Sequence, residues 1–143
     1  MEIKIAVTDA DILKCWEVLF ALRPHLKKEN FLRDVRTTLD DNRILIFIEE
    51  DGIAVAASVF EWGYNLYRGK YIYIDDLSTL PQARRKGYAS KLLDWIFKYA
   101  IEKQIVHVHL DSGSNEGRYD AHRLYLNKGF NITSFHFASI LSK

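Results

Sequence analysis

The segment from Asp75 to Ala100, DDLSTLPQARRKGYASKLLDWIFKYA, holds the change of period on which the fold turns. Just before it, KYIYI alternates as a strand does. Within it, Ala89, Leu92, Leu93, Ile96, Phe97 and Ala100 fall at offsets 0, 3, 4, 7, 8 and 11, the spacing of one helix face. Three successive cations, Arg84, Arg85 and Lys86, and then Gly87 stand at the start of that helix. A helix N-terminus presents unpaired N–H groups and partial positive charge, and small residues let those groups approach an anion closely. The turn also follows the carboxyl end of a strand, where α/β sheets hold ligands. A solvated basic turn is the plain alternative, and the residues are not a Walker A loop, which needs a second glycine followed by Lys and Ser/Thr. Position favours a phosphate-bearing ligand.

Outward from this segment, the elements alternate. Glu2 to Val7 is strand-like, and Thr8 or Asp9 caps a helix carrying Ile12, Cys15, Trp16, Leu19 and Phe20 on one stripe. LRPHL breaks that helix, and a second follows from Lys27 to Leu39. Asp51-Gly52 lies between two β-rich runs and predicts a hairpin. IVHVHLDS reads as a further strand, Asp120 to Lys128 as a short helix with Gly129 at its left-handed C-cap, and FNITSFHFASIL as a last strand. The order βααβββαβαβ implies an α/β fold with a mixed sheet, helices on both faces, and Tyr71–Thr79 parallel to Ile105–Leu110.

With 143 residues, 48% hydrophobic, two prolines and no repeats, the expectation is one domain over residues 1–143. Lys+Arg of 20 against Asp+Glu of 19 leaves a charge of +1, which advertises neither nucleic acid nor an anionic membrane as partner. The single Cys15 makes no internal disulfide, and no apolar run has the length of a membrane span or the layout of a signal peptide, so a reducing cytoplasm is expected. Cys15 falls on the buried helix stripe and reads as packing rather than chemistry. His107, His109, His122 and His136 lack zinc-like spacing, so no metal is expected.

LSTLPQARRKGYA resembles the acyl-CoA signature of the GNAT superfamily of N-acetyltransferases, Arg/Gln-x-x-Gly-x-Gly/Ala, with Arg84, Gly87 and Ala89 in its defining positions. AHRLYLNKGF is similar to that family's second motif, Ala-x-x-x-Tyr ending in Gly-Phe. The resemblance implies a GNAT-like, mostly antiparallel sheet with one splayed parallel pair, and acetyl-CoA as cosubstrate. It implies that backbone N–H groups from Arg85 through Lys86, Gly87 and Tyr88 to Ala89 cradle the pyrophosphate, with Arg84, Arg85 and Lys86 adding charge. It also implies that backbone at Leu77, Ser78 and Thr79 holds the acetyl carbonyl, and that Tyr125 is the general acid.

Acetyl transfer to an amine needs a neutral amine, and Asp75 or Asp76 is the candidate base. Strict alternation aims the two at opposite faces, a bulge in this strand being common in the family, and the preference is for Asp75, with Asp76 as anchor. RYDAHRLY resembles aminoalkylphosphonate N-acetyltransferases and bacterial GNAT proteins that share LRPHL; Arg23 and His25 would then touch an acidic or phosphonate-bearing acceptor. Arg118 stands where many relatives have an Asn that meets the pantetheine arm. The implied function is direct acetyl transfer to the primary amine of a small molecule. The alternatives are a protein or peptide acceptor and a non-catalytic CoA-binding module. The aromatic-rich FEWGYNLYRGKY suits either an acceptor groove or a homodimer surface.

Overall fold

Asp51 and Gly52 both adopt left-handed φ, 53° and 86°, the geometry that matches a two-residue turn to the twist of its flanking strands. They join β2 (Arg43–Glu50) to β3 (Ile53–Asn65), and the expected hairpin is present. A Cβ on Gly52 would meet nothing within 4 Å. Gly52→Ala therefore carries backbone strain alone, and urea unfolding should show a loss of about 1 kcal/mol.

The computed structural model describes residues 2–142. Two units make up the chain, one ending at Leu110 and the other beginning at Asp111. The first contains the sheet, whose five strands run in the order β1 (Ile3–Ile5), β2, β3, β4 (Gly69–Thr79) and β5 (His107–Leu110). Pairings from β1 through β4 are antiparallel, and β4 with β5 is parallel. This is the mixed, mostly antiparallel sheet expected.

Leu45–Ile48 and Ala54–Phe60 are buried without interruption, which in a pleated sheet requires cover on both faces. On one face the Ser78 hydroxyl donates to the Val18 carbonyl at 2.8 Å, which fixes α2 (Trp16–Leu22) there. On the other, α4 (Tyr88–Glu102) sets the rings of Trp95 and Tyr99 6.2 and 5.4 Å from that of Phe60. The first predicted helix is two: α1 (Asp9–Lys14) ends at Cys15, whose N–H turns back to Ile12 and Leu13. Cys15 is fully buried, and burial pushes its thiol up to about 12, in keeping with a packing role. The helix α3 spans Lys28–Leu39. No helix among the described residues is long and apolar enough to cross a membrane.

The second unit contains α5 (Tyr119–Asn127), and Gly129 beyond it has φ 93°, the left-handed cap expected. The predicted final strand is absent: residues 130–142 carry no strand, and Ile132, Phe135, Phe137, Ile140 and Leu141 are exposed. Alternating β-prone residues are not sufficient for a strand, because its N–H and C=O groups need a neighbouring ladder.

Candidate active site

Between β3 and β4 the register runs Glu61–Tyr73, Phe60–Ile74 and then Val59–Asp76, so Asp75 is an extra residue without a partner of its own. This β-bulge cancels the alternation that would separate two neighbours. Asp75 keeps the phase of Tyr73 and Asp76 takes that of Val59, which brings both carboxylates to the face covered by α2.

Two adjacent carboxylates on one face repel, and two arginines answer them from different elements. Arg43, opening β2, donates from Nε to Asp75 Oδ2 at 2.6 Å and from Nη1 to Asp41 Oδ2 at 2.9 Å, with Nη2 3.8 Å from Glu61. Arg23, closing α2, donates from Nε to Asp76 Oδ1 at 2.8 Å and from Nη2 to the Asp75 carbonyl at 2.9 Å. The buried Ser58 hydroxyl donates to the Asp76 carbonyl at 2.7 Å. Burial raises the pKa of Asp76, opposed by the hydrogen bond and charge of Arg23, while Asp75 adds to the rise and Arg43 subtracts from it. His25 is exposed two residues after Arg23.

The β4–β5 ladder ends at Ile74–Leu110, yet β4 continues to Thr79. Among the described residues, Leu77, Ser78 and Thr79 pair with β3 alone, so their other backbone edge lies outside any ladder. A short turn at Pro81–Ala83 leads to exposed Arg84, Arg85, Lys86 and Gly87. Arg85 and Gly87 have left-handed φ of 66° and 78°, and no side chain caps α4. A Cβ on Gly87 would meet nothing within 4 Å. Unpaired N–H groups, open space and three cations fit an oxyanion such as a pyrophosphate. Behind this turn the buried Tyr88 donates its hydroxyl to Glu50 Oε2 at 2.5 Å, and Lys86 Nζ is 3.8 Å from Glu50 Oε1. Glu50, at the end of β2, thus fastens the turn to the sheet, and Tyr88 retains only backbone for a ligand.

In the second unit Tyr125 lies half-buried on α5, its ring edge-on to Phe130 at 5.9 Å. Burial raises its pKa, against a smaller lowering by the charge of Arg118. The phenol is therefore protonated at neutral pH. Arg43, Glu50 and Ser58 were not singled out from sequence. Charges at both ends of β2 were the available signal, but which strand position each faces is known only once the register is known.

The family model described as "Acetyltransferase (GNAT) family" matches residues 10–130 of the chain. An uncharacterized N-acetyltransferase of Bacillus subtilis, YhdJ, is 30% identical over 124 residues, covering 85% of this chain and 86% of its own. Among solved structures, a putative acetyltransferase from Agrobacterium tumefaciens has a TM-score of 0.81 at 22% identity, covering 97% of this chain and 100% of its own. An aminoglycoside N-acetyltransferase in complex with CoA has a TM-score of 0.78 at 16% identity, covering 98% of this chain and 95% of its own. At such identities the structures speak to fold alone.

Proposed function

Since this chain belongs to the GNAT family of acetyltransferases and is an acyltransferase enzyme, we propose that it moves acetyl from acetyl-CoA directly to the primary amine of a small molecule. The observation that carries this reading is the stretch from Asp75 to Ala89, where two one-faced carboxylates, an unladdered strand edge and an open cationic helix start follow one another. Taking residues 1–143 as one acetyltransferase domain is supported by a family match that runs across the boundary at Leu110.

In this mechanism N–H groups from Arg85 to Ala89 bind the pyrophosphate, and those at Leu77–Thr79 orient and polarise the acetyl carbonyl. Asp76 takes a proton from the acceptor ammonium, directly or through water. Each carboxylate is engaged by one arginine, Asp75 by Arg43 and Asp76 by Arg23, and Asp76 is favoured because burial makes it the more basic. The neutral nitrogen attacks the thioester carbon, the C–S bond breaks and Tyr125 protonates the departing sulfur; the nitrogen's surplus proton leaves through water and restores the phenol, so that an amide and free CoA thiol remain. Arg23, through the N–H groups that β4 leaves free, and His25 meet an anionic group on the acceptor, a carboxylate or phosphonate. That choice keeps the likeness to aminoalkylphosphonate N-acetyltransferases.

A peptide acceptor is less well supported. The exposed Trp62, Tyr64 and Tyr67 surround the hairpin at the amino end of β4. With ten residue steps from Gly69 to Thr79, that tip is about 30 Å from the strand end where the acetyl group would be held. Thiol release from acetyl-CoA across an amine panel, run beside peptide arrays, tests the reading; turnover with peptides alone would overturn it.

Tyr125→Phe should lower kcat by about tenfold to a hundredfold with CoA affinity unchanged. The effect is held down because a thiol of pKa ~8.5 is already a fair leaving group. An unchanged rate with chemistry limiting would pass the acid role to water.

A further inference from the structure

We infer that Arg23 is a positioning residue for the reaction: its guanidinium clamps the Asp76 carboxylate and the Asp75 carbonyl to the turn between α2 and α3, so that base and acceptor-side loop act as one piece. The inference rests on Asp76 as the base, and its test keeps the two ideas apart.

A bulge leaves an extra peptide unit that a regular ladder does not use, and its carbonyl needs a donor from elsewhere. Arg23 Nη2 is that donor for the Asp75 carbonyl, at 2.9 Å, and Nε of the same planar group meets Asp76 Oδ1 at 2.8 Å. Two N–H groups in fixed relation tie the Asp76 carboxylate to the bulge carbonyl as well as offsetting its charge; a lysine ammonium offers the charge without the fork.

The other end of the clamp is equally held. Arg23 N–H donates to the Leu19 carbonyl at 2.8 Å, and Leu26 N–H donates to the Arg23 carbonyl at 3.0 Å. Exposed Pro24 and His25 stand within that turn, so any shift of the loop draws on the same guanidinium that holds the base. The charged groups that bear on Asp76 are Arg23 from the end of α2, Asp75 beside it on β4 and Arg43 from β2. Without Arg23, a carboxylate already made more basic by burial loses its hydrogen-bonded cation and keeps its anionic neighbour, so it must bind its proton more tightly.

The experiment is a carbon-13 titration of side-chain carboxyls in the full chain without ligands, for wild type, Arg23→Gln and Arg23→Lys, with Asp76→Asn assigning the signal. It is paired with the pH profile of kcat/KM for an amine acceptor that has no anionic group, which removes any direct substrate contact of Arg23 from the comparison. In Arg23→Gln the Asp76 titration should move to higher pH, and the acidic limb of the rate should move with it. In Arg23→Lys both should return part of the way. A folded Arg23→Gln whose Asp76 titrates as in wild type overturns the clamp, and if glutamine prevents folding, an Arg23→Lys indistinguishable from wild type in both readouts overturns it as well. A titration that moves while the limb stays put upholds the clamp and overturns Asp76 as the base.

Discussion

Gly87→Glu should reduce CoA affinity by about a hundredfold or more, ~2.7 kcal/mol in binding free energy, while the protein remains folded. The substitution introduces a carboxylate where Gly87 stands exposed at the N-cap of α4, among Arg84, Arg85 and Lys86 and before uncapped helical N–H groups. A negative side chain there competes for the same N–H groups and cations as a pyrophosphate, and repels it. The fold survives because a Cβ at Gly87 meets nothing within 4 Å, leaving only the strain of φ 78°, about 1–2 kcal/mol. Asn tolerates left-handed backbone and carries no charge, so Gly87→Asn should lose much less affinity. Calorimetry of CoA binding to the two variants reads the contrast; wild-type affinity in Gly87→Glu would remove this turn from the cosubstrate site.

Asp76→Asn should lower kcat/KM by about a hundredfold or more at pH 7, the range of a lost general base, and should flatten the acidic limb of the profile. The sign follows from burial, which raises the pKa of Asp76, so that in wild type the base becomes protonated and activity falls at a higher pH than for an ordinary carboxylate. The amide keeps an oxygen for Arg23 Nε, so the loss is of proton transfer more than of architecture. Asp75→Asn should cost less and leave the limb in place, because Asp75 takes no proton in this mechanism and its amide keeps an oxygen for Arg43 Nε. Rates are to be compared with one acceptor, saturating acetyl-CoA and thermal melts of both variants. A displaced limb in Asp75→Asn with an intact one in Asp76→Asn would exchange the two roles.

Much of this architecture was legible because it rests on local rules. The helical offsets from Ala89 to Ala100 located α4, Asp51-Gly52 located the hairpin, and Gly129 marked the end of α5. Relations between strands were less legible. Period-two counting aimed Asp75 and Asp76 at opposite faces, and only the register with Val59 brings them together. Arg43 gained its part from β2 and Arg23 from the end of α2, 32 and more residues away, distances over which no local propensity acts. The C-terminal run misled for the opposite reason: its alternation was genuine, but the pairing that would make it a strand is not present in residues 130–142.

The extra residue in β4 also bears on how such a strand can change length. On either side of Asp75 the ladder with β3 is regular, from Asn65–Gly69 to Phe60–Ile74 and again from Val59–Asp76 to Ala56–Thr79. Closing the gap would set Ile74 directly before Asp76 and leave every other cross-strand partner as it is. The second acid is therefore, in geometric terms, an insertion: it adds a functional group without exchanging one residue for another and without turning Ser78 away from Val18. A strand with one face in the core ordinarily resists any change in residue number, because each addition reverses what lies beyond it. Here the bulge absorbs the added length at Asp75, which sets a second carboxylate beside Asp76 on the same face.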